Sequence, residues 1–414
     1  MDSSRGRRAR SDAVALLEAV WSATVGFLPV FLLGAVAAVM RDDIPLSTEQ
    51  LGYAAGVFFG TGALVAAPVG RVVQQIGPRR GMGAGALVAG VAMLGMGLLA
   101  RSWWHLTALL VVAGAANLTC SIASDLVVAQ TVREDRRGVG FGIKTSCLPA
   151  ATLLAGLAVP GVALRAGWRW TFVLAALLAA GFVVRLAVAG PRAPAALDRA
   201  APSTRRLPVR HLTVVGFVAG LAAGAANALG AFYVDAGVAA GLSPGTAGVW
   251  LASGSLLAVF GRIALGVVAD RRPRPHYGLL AVVWLVGAAG CGLLAVDGGS
   301  PVLVVGTVLA FAGGSGWTAL YMHSIIAGNA SAPAAASGIA MVGTFAGGVL
   351  GPLWFGTVAE RVGHGGAWVA TGGTLVGAAL LLWAVATSRL RPLGIAASPA
   401  DQDPPWRRAA GRRR

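Results

Sequence analysis

Gly70-Arg-Val-Val-Gln-Gln-Ile-Gly-Pro-Arg-Arg80 closes one apolar run, and 196 residues later Gly266-Val-Val-Ala-Asp-Arg-Arg-Pro-Arg274 closes another. The same offset lays Leu46-Ser47 on Leu242-Ser243, Gly52 on Gly248 and Gly142-Ile143 on Gly338-Ile339. A register that holds without a gap from near residue 46 to near residue 157 reflects one architecture used twice, not shared apolar composition. Two like halves around a central path are the expected build of a transporter.

The repeated unit is a membrane unit. Of 414 residues, 56% are hydrophobic and 12% charged, with a mean hydropathy of +0.74, whereas soluble domains carry about a quarter charged residues. The 60 glycines fit, because small residues let helices approach closely in lipid, where no hydrophobic effect drives them together. A net charge of +17 would indicate a nucleic-acid partner in a soluble chain. Here the arginines cluster in short connectors and tails, which reads as an orientation signal, so no nucleic-acid partner is expected. Cys120, Cys147 and Cys291 sit inside apolar segments as small hydrophobes, and no disulfide framework is implied. The first apolar run follows Arg5, Arg7, Arg8 and Arg10 and outlasts a cleavable leader, so it is expected to remain as a span.

A span needs about 20 mostly apolar residues, and the sequence yields twelve such runs. They are 14–39, 51–73, 81–100, 105–128, 139–163 and 169–189, then 212–235, 247–269, 277–296, 302–325, 337–359 and 367–388. An even number puts both termini on one side. Arg5 to Arg10, Arg79-Arg80, Arg133 to Arg137, Arg192 to Arg210, Arg271 to Arg274 and Arg407 to Arg414 outnumber Arg41, Arg101, Arg165, Arg169 and Arg361 opposite. Both termini are therefore expected in the cytoplasm, in a multi-pass protein of the plasma membrane. The expected divisions are an N-terminal tail 1–13, a six-helix bundle 14–190, a linker 191–211 rich in proline and arginine, a second six-helix bundle 212–388, and a disordered tail 389–414 bound to anionic lipid. Trp103, Trp104 and Trp168 fall at the outer ends of spans, where such rings anchor in the interface.

The two loops resemble the glycine, aspartate and arginine signature of the major facilitator superfamily, which stands after the second and eighth spans. The twelve spans, the linker and the repeat extend the likeness over nearly the whole chain. The resemblance implies an all-α fold of two pseudo-symmetric six-helix bundles with a site between them, opening alternately to each side. It also implies a gating role for Gly70, Gly77, Arg79, Arg80, Gly266, Asp270 and Arg271, since in that family the loop carries charge pairs that hold the cytoplasmic side closed. The copies differ: Gln74 and Gln75 stand where the second has Asp270 and Arg271, which predicts a weaker gate from the first.

Ionisable groups inside spans cost about 2.5 to 3.5 kcal/mol on insertion scales and are functional candidates by default. Lys144 falls on Ala340 and Arg262 on Ala66, so neither has a polar counterpart in the other half. In the resembled fold spans five and eight adjoin, so both cations are expected to face one cavity, repelling by about 2 kcal/mol at ~8 Å, a repulsion that an anionic cargo would relieve. Arg262-Ile-Ala-Leu-Gly266 is similar to the eighth span of monocarboxylate carriers. The competing reading pairs Lys144 with Asp125, and Arg262 with Asp270 or a carbonyl.

Asn117, Asn227 and Trp317 lie near the midplane, with Tyr233 and Tyr321 farther along, and are candidates to line the cargo site; the competing reading has them bonding or packing within the bundle. Proton coupling needs a titrating group, and Asp125 stands ahead of His323, Glu18 and Asp235, the last a charge near the outer end of its span. Pro149, Pro160 and Pro352 are expected bending points. Five scattered histidines and three cysteines offer no metal-ligand spacing, so neither an enzyme nor a cofactor is expected. The function expected is a monomeric symporter of a small organic anion, a carboxylate moved with protons. The alternative is an exporter of apolar or cationic compounds, which would call for an acidic residue facing the cavity near the midplane, and none stands at that depth.

Overall fold

The computed structural model describes residues 2–132, 137–190, 208–271, 275–296, 299–329 and 333–387, and every regular element among them is a helix. The linker call 191–211 lies almost wholly outside the described residues, and the tail call 389–414 wholly so. α1 (Asp2–Met40) runs through the expected tail 1–13, where alanine and arginine favour helix and no proline precedes Pro29. α2 (Thr48–Leu64) starts on a capping box: the Ser47 hydroxyl accepts from the Gln50 N–H while the Gln50 side chain takes the Ser47 N–H.

α2 meets α3 (Ala66–Ile76) at a 59° bend, so the second expected span comes in two pieces. Pro68 lies four residues beyond Leu64, where it supplies no N–H and its ring crowds that carbonyl. Gly77, at φ 87°, turns the chain into α4 (Pro78–Leu99), whose first position is the proline that needs no donor. α5 (Trp103–Thr131) is continuous. The fifth expected span is broken into α6 (Arg137–Thr145), α7 (Cys147–Ala158), a π turn at Val159–Ala163 and α8 (Leu164–Ala166). Pro149 follows the first break and Pro160 sits in the π turn, each removing the N–H that would serve the residue four back. α9 (Trp168–Val188) completes the first half.

The second half contains α10 (Val209–Ala239), α11 (Pro244–Arg271), α12 (Tyr277–Leu294), α13 (Gly299–Gly314), α14 (Thr318–Gly328) and α15 (Pro333–Thr387). α15 has 55 residues and leaves helical geometry at Gly363 (φ 81°, ψ 165°), between the two runs expected there. Among the described residues, ten helices are long and apolar enough to cross a membrane, or eleven with the bent α2–α3 pair taken as one.

α10 and α15 meet along glycine. Gly216, Gly220 and Gly224 lie against Gly343, Gly347 and Gly351, and a Cβ at Gly220 would stand 2.5 Å from the Gly343 carbonyl oxygen. Spacing by four repeats the small residue on one face, so the two backbones touch where lipid alone offers no driving force. Between halves, α2 packs on α15, α6 and α7 on α11, and α1 on α10.

Candidate functional site

At the face carrying the two signature loops, one seam between the halves is fastened and its repeat counterpart is not. The Asp270 carboxylate, at the end of α11, accepts from the backbone N–H of Gly138 at 2.7 Å and of Val139 at 2.9 Å, in the first turn of α6. A carboxylate there satisfies orphan donors and complements the positive end of the helix dipole. The backbones close up behind it: a Cβ at Gly266 would lie 2.6 Å from the Gly138 oxygen, and one at Gly142 2.7 Å from the Arg262 oxygen. The equivalent positions are open. Among the described residues, Gly70 has only Ile122 of its own half, at 4.0 Å, and Gly338 has nothing within 4 Å, while Gln74 and Gln75 are exposed. Neutral glutamine offers a helix terminus no charge, and beyond the 59° bend α3 packs on α4 and α5 of its own half.

The remaining gate candidates serve one half or face solvent. Arg79 donates to the carbonyls of Leu186 at 3.2 Å and Gly190, and lies 3.9 Å from Glu18, which is also 3.4 Å from Arg185. Arg80 and Arg271 are exposed.

The opposite face is shut by a cluster that the sequence reading missed. Asp235, its carboxyl fully buried, is held by both terminal nitrogens of Arg41, by the Thr48 hydroxyl at 3.3 Å and by His364 Nε2 at 3.1 Å. Arg41 also donates from Nε to the Leu46 carbonyl at 2.7 Å. The partners come from the ends of α1, α2 and α10 and from the break inside α15. Nearby, Gly156 fits against the Gly248 oxygen and Gly52 against that of Pro352, at 2.5 and 2.6 Å from where their Cβ atoms would stand. Trp168, expected as an interface anchor, is instead buried and donates to Asp43 at 2.8 Å. The missed signal was positional: Arg41 maps onto Gly237, two residues from Asp235, so opposite charges stand at matching ends of repeat-equivalent helices.

Between these faces, both unmatched cations have internal partners, as the competing reading had it for Lys144 with Asp125 and Arg262 with a carbonyl. Lys144 is buried and lies 2.6 Å from Asp125, whose side chain is 49% exposed. Arg262 donates from Nε to the Ser315 carbonyl at 2.8 Å, from Nη2 to the Ser315 hydroxyl at 3.3 Å, and from Nη1 to the Thr145 carbonyl. Thr145 is the residue that Pro149 leaves without an N–H donor, and Ser315 stands in the gap between α13 and α14. One guanidinium thus fills vacancies in two broken helices, one from each half.

The expected aromatic lining is likewise engaged within the second half. Trp317 donates to the Gly314 carbonyl at 3.1 Å and packs on Trp284 and Tyr321, each at 5.5 Å between ring centres. The Tyr321 hydroxyl donates to the Ala340 carbonyl at 3.2 Å, and that of Tyr233 bonds Thr307. His323 lies 6.1 Å from His276 between ring centres. Asn117 and Asn227 are both buried, Asn227 donating from Nδ2 to the Ala223 carbonyl at 2.8 Å. Among the described residues no three histidine, cysteine or acidic side chains gather to hold a metal.

A sequence model described as Major Facilitator Superfamily matches residues 19–352. The chain belongs to the major facilitator superfamily. It is similar to a chloramphenicol resistance protein of Streptomyces lividans, 28% identical over 410 residues that cover 90% of this chain and 99% of that one. Among solved structures, a bacterial homologue of the human lysosomal transporter Spinster, in an inward-facing and occupied conformation, matches with a TM-score of 0.73 at 16% identity, covering 90% of this chain and 96% of that one. An inward-facing, unoccupied structure of such a homologue matches with a TM-score of 0.69, with the same identity and coverage. As a member of the major facilitator superfamily, the chain is a multi-pass membrane transporter and not an enzyme. Its second signature loop keeps the superfamily's acid, used here as a cap on a helix of the other half.

Proposed function

We propose that this transporter exports uncharged, largely apolar compounds by alternating access, as two six-helix bundles of twelve crossings with both termini in the cytoplasm of the cell membrane. The observation that carries this reading is the internal engagement of Lys144 and Arg262. A carboxylate cargo would have to displace Asp125 from one and two carbonyls from the other, and each exchange breaks charge-assisted bonds as good as those it makes. An uncharged cargo asks for no such exchange. The similarity to a chloramphenicol resistance protein supports both the direction and the class, chloramphenicol being uncharged. With the signature loops cytoplasmic, the parted α3–α15 seam opens inward while the Arg41–Asp235 cluster closes the outside.

The test is accumulation of labelled chloramphenicol in sensitive cells with and without the protein. Lower accumulation that rises again when the proton gradient is collapsed is the expected result. Unchanged accumulation, together with pH-driven uptake of labelled carboxylates into proteoliposomes, overturns it.

Proton-coupled uptake of an organic anion is the second reading, and one observation favours it. Asp125 is half exposed beside buried Lys144, so an entering carboxylate could take its place while Asp125 accepts a proton. In both readings Asp125 is the coupling candidate, because Glu18 is held between Arg185 and Arg79.

A further inference from the structure

Asn117 and Asn227 are 8% and 6% exposed, and among the described residues the carboxamide oxygen of each accepts no hydrogen bond. A buried acceptor left unmet costs about 1 to 3 kcal/mol, so a structural role alone would be a poor use of either residue. Asn227 already donates from Nδ2 to Ala223, which fixes its carboxamide and leaves the oxygen as the unmet end.

The two residues come from opposite halves at matching depth, Asn117 midway along α5 and Asn227 in the central third of α10. Neither belongs to the duplicated scaffold, since the repeat register sets Gly313 against Asn117 and Phe31 against Asn227. A run of pairwise contacts leads from one to the other. The Asn117 oxygen lies 3.0 Å from where a Cβ on Gly26 would stand, and the next residue, Phe27, reaches Phe59 of α2 at 6.4 Å between ring centres. The Phe59 ring and the Asn227 amide then flank Gly348 of α15, at 3.4 and 3.7 Å from its missing Cβ.

We propose that Asn117 and Asn227 are a two-point acceptor for the cargo, selecting an uncharged molecule with an aromatic or apolar body and hydroxyl or amide N–H donors spaced along it. Phe27 and Phe59 contact the body, and each asparagine oxygen takes one donor. This rests on the export reading and names the substrate class within it.

The experiment measures binding to the purified full-length protein in lipid nanodiscs, with two probes: chloramphenicol, which carries two hydroxyls and an amide N–H, and its di-O-acetyl ester, which keeps the body and loses the hydroxyl donors. Wild type is expected to prefer the parent about tenfold. Asn117→Leu and Asn227→Leu should each weaken the parent about five- to tenfold, the effect of one lost hydrogen bond, and leave the ester unchanged. Asn227→Gln, which keeps an acceptor, should recover part of the loss and guards against simple misfolding. Equal binding of both probes by wild type, or equal loss of both by monodisperse leucine variants, overturns the acceptor pair alone. Binding of neither probe by wild type overturns the export reading and the pair with it.

Discussion

Arg41, at the end of α1, and Asp235, in the last turns of α10, form an ion pair between the two halves at the face away from the signature loops. Removing Arg41 leaves the buried Asp235 carboxylate to Thr48 and His364 alone, at a part of the cost of about 3 to 5 kcal/mol for stranding one charge of a fully buried pair. Asp235→Asn or Arg41→Ala should therefore populate a state open on this face. Spin labels on Arg101→Cys and Ser300→Cys would report it as a longer distance, against natural cysteines that are all buried. Arg41→Asp combined with Asp235→Arg should restore the shorter one; a distance that never changes rules the pair out as a closure.

Asp270 and Gln74 occupy one repeat position with different chemistry. Asp270→Asn should loosen the α6–α11 seam by about 1 kcal/mol, the effect of weakening a helix N-terminal acceptor. Gln74→Asp should do the reverse at the α3–α15 seam and slow opening toward the loop face. The check is the rate at which a water-soluble thiol reagent modifies Gly338→Cys: faster than in the wild-type background with the first change, slower with the second.

Arg262 distinguishes a tether from an anion site. Arg262→Lys retains the charge but loses the fork that reaches Thr145 and Ser315 together. Thermal unfolding should then fall by the equivalent of about 2 to 3 kcal/mol while cargo affinity stays within a factor of two. Affinity lost without stability would identify a cargo contact.

Gly220→Ala should depress the yield of folded protein, because its Cβ would press the Gly343 carbonyl oxygen at 2.5 Å. Gly338→Ala, with nothing within 4 Å, should be tolerated. Fluorescence-detected gel filtration of the two variants side by side reads the difference.

The sequence made the duplication, the apolar runs and the proline breaks legible, because each is written in residues close together along the chain. Pro149 and Pro160 stand at interruptions as expected, and Pro68, which obeys the same rule, stands at another, whereas Pro352 lies inside α15, which leaves helical geometry at Gly363 instead. Pairings across the halves were harder to read. Glycines four apart at 216, 220 and 224 mark a close-packing face but do not name the facing helix, and Arg41 with Asp235 read as two unrelated end charges until the rotation of each helix was known. Lys144 with Asp125 and Arg262 with a carbonyl stood among the readings weighed from sequence. What chose between them was the freed Thr145 oxygen, visible only once α6 and α11 are set side by side.

The unequal loops make the clasp between the halves one-sided. Asp270 fastens one edge of the contact between the halves on the loop face, and Gln74 leaves its repeat counterpart unfastened, with Leu64 and Val342 exposed on α2 and α15. On the proposed export of apolar compounds, that unfastened edge is where an oily solute dissolved in the leaflet would enter sideways, without first crossing water.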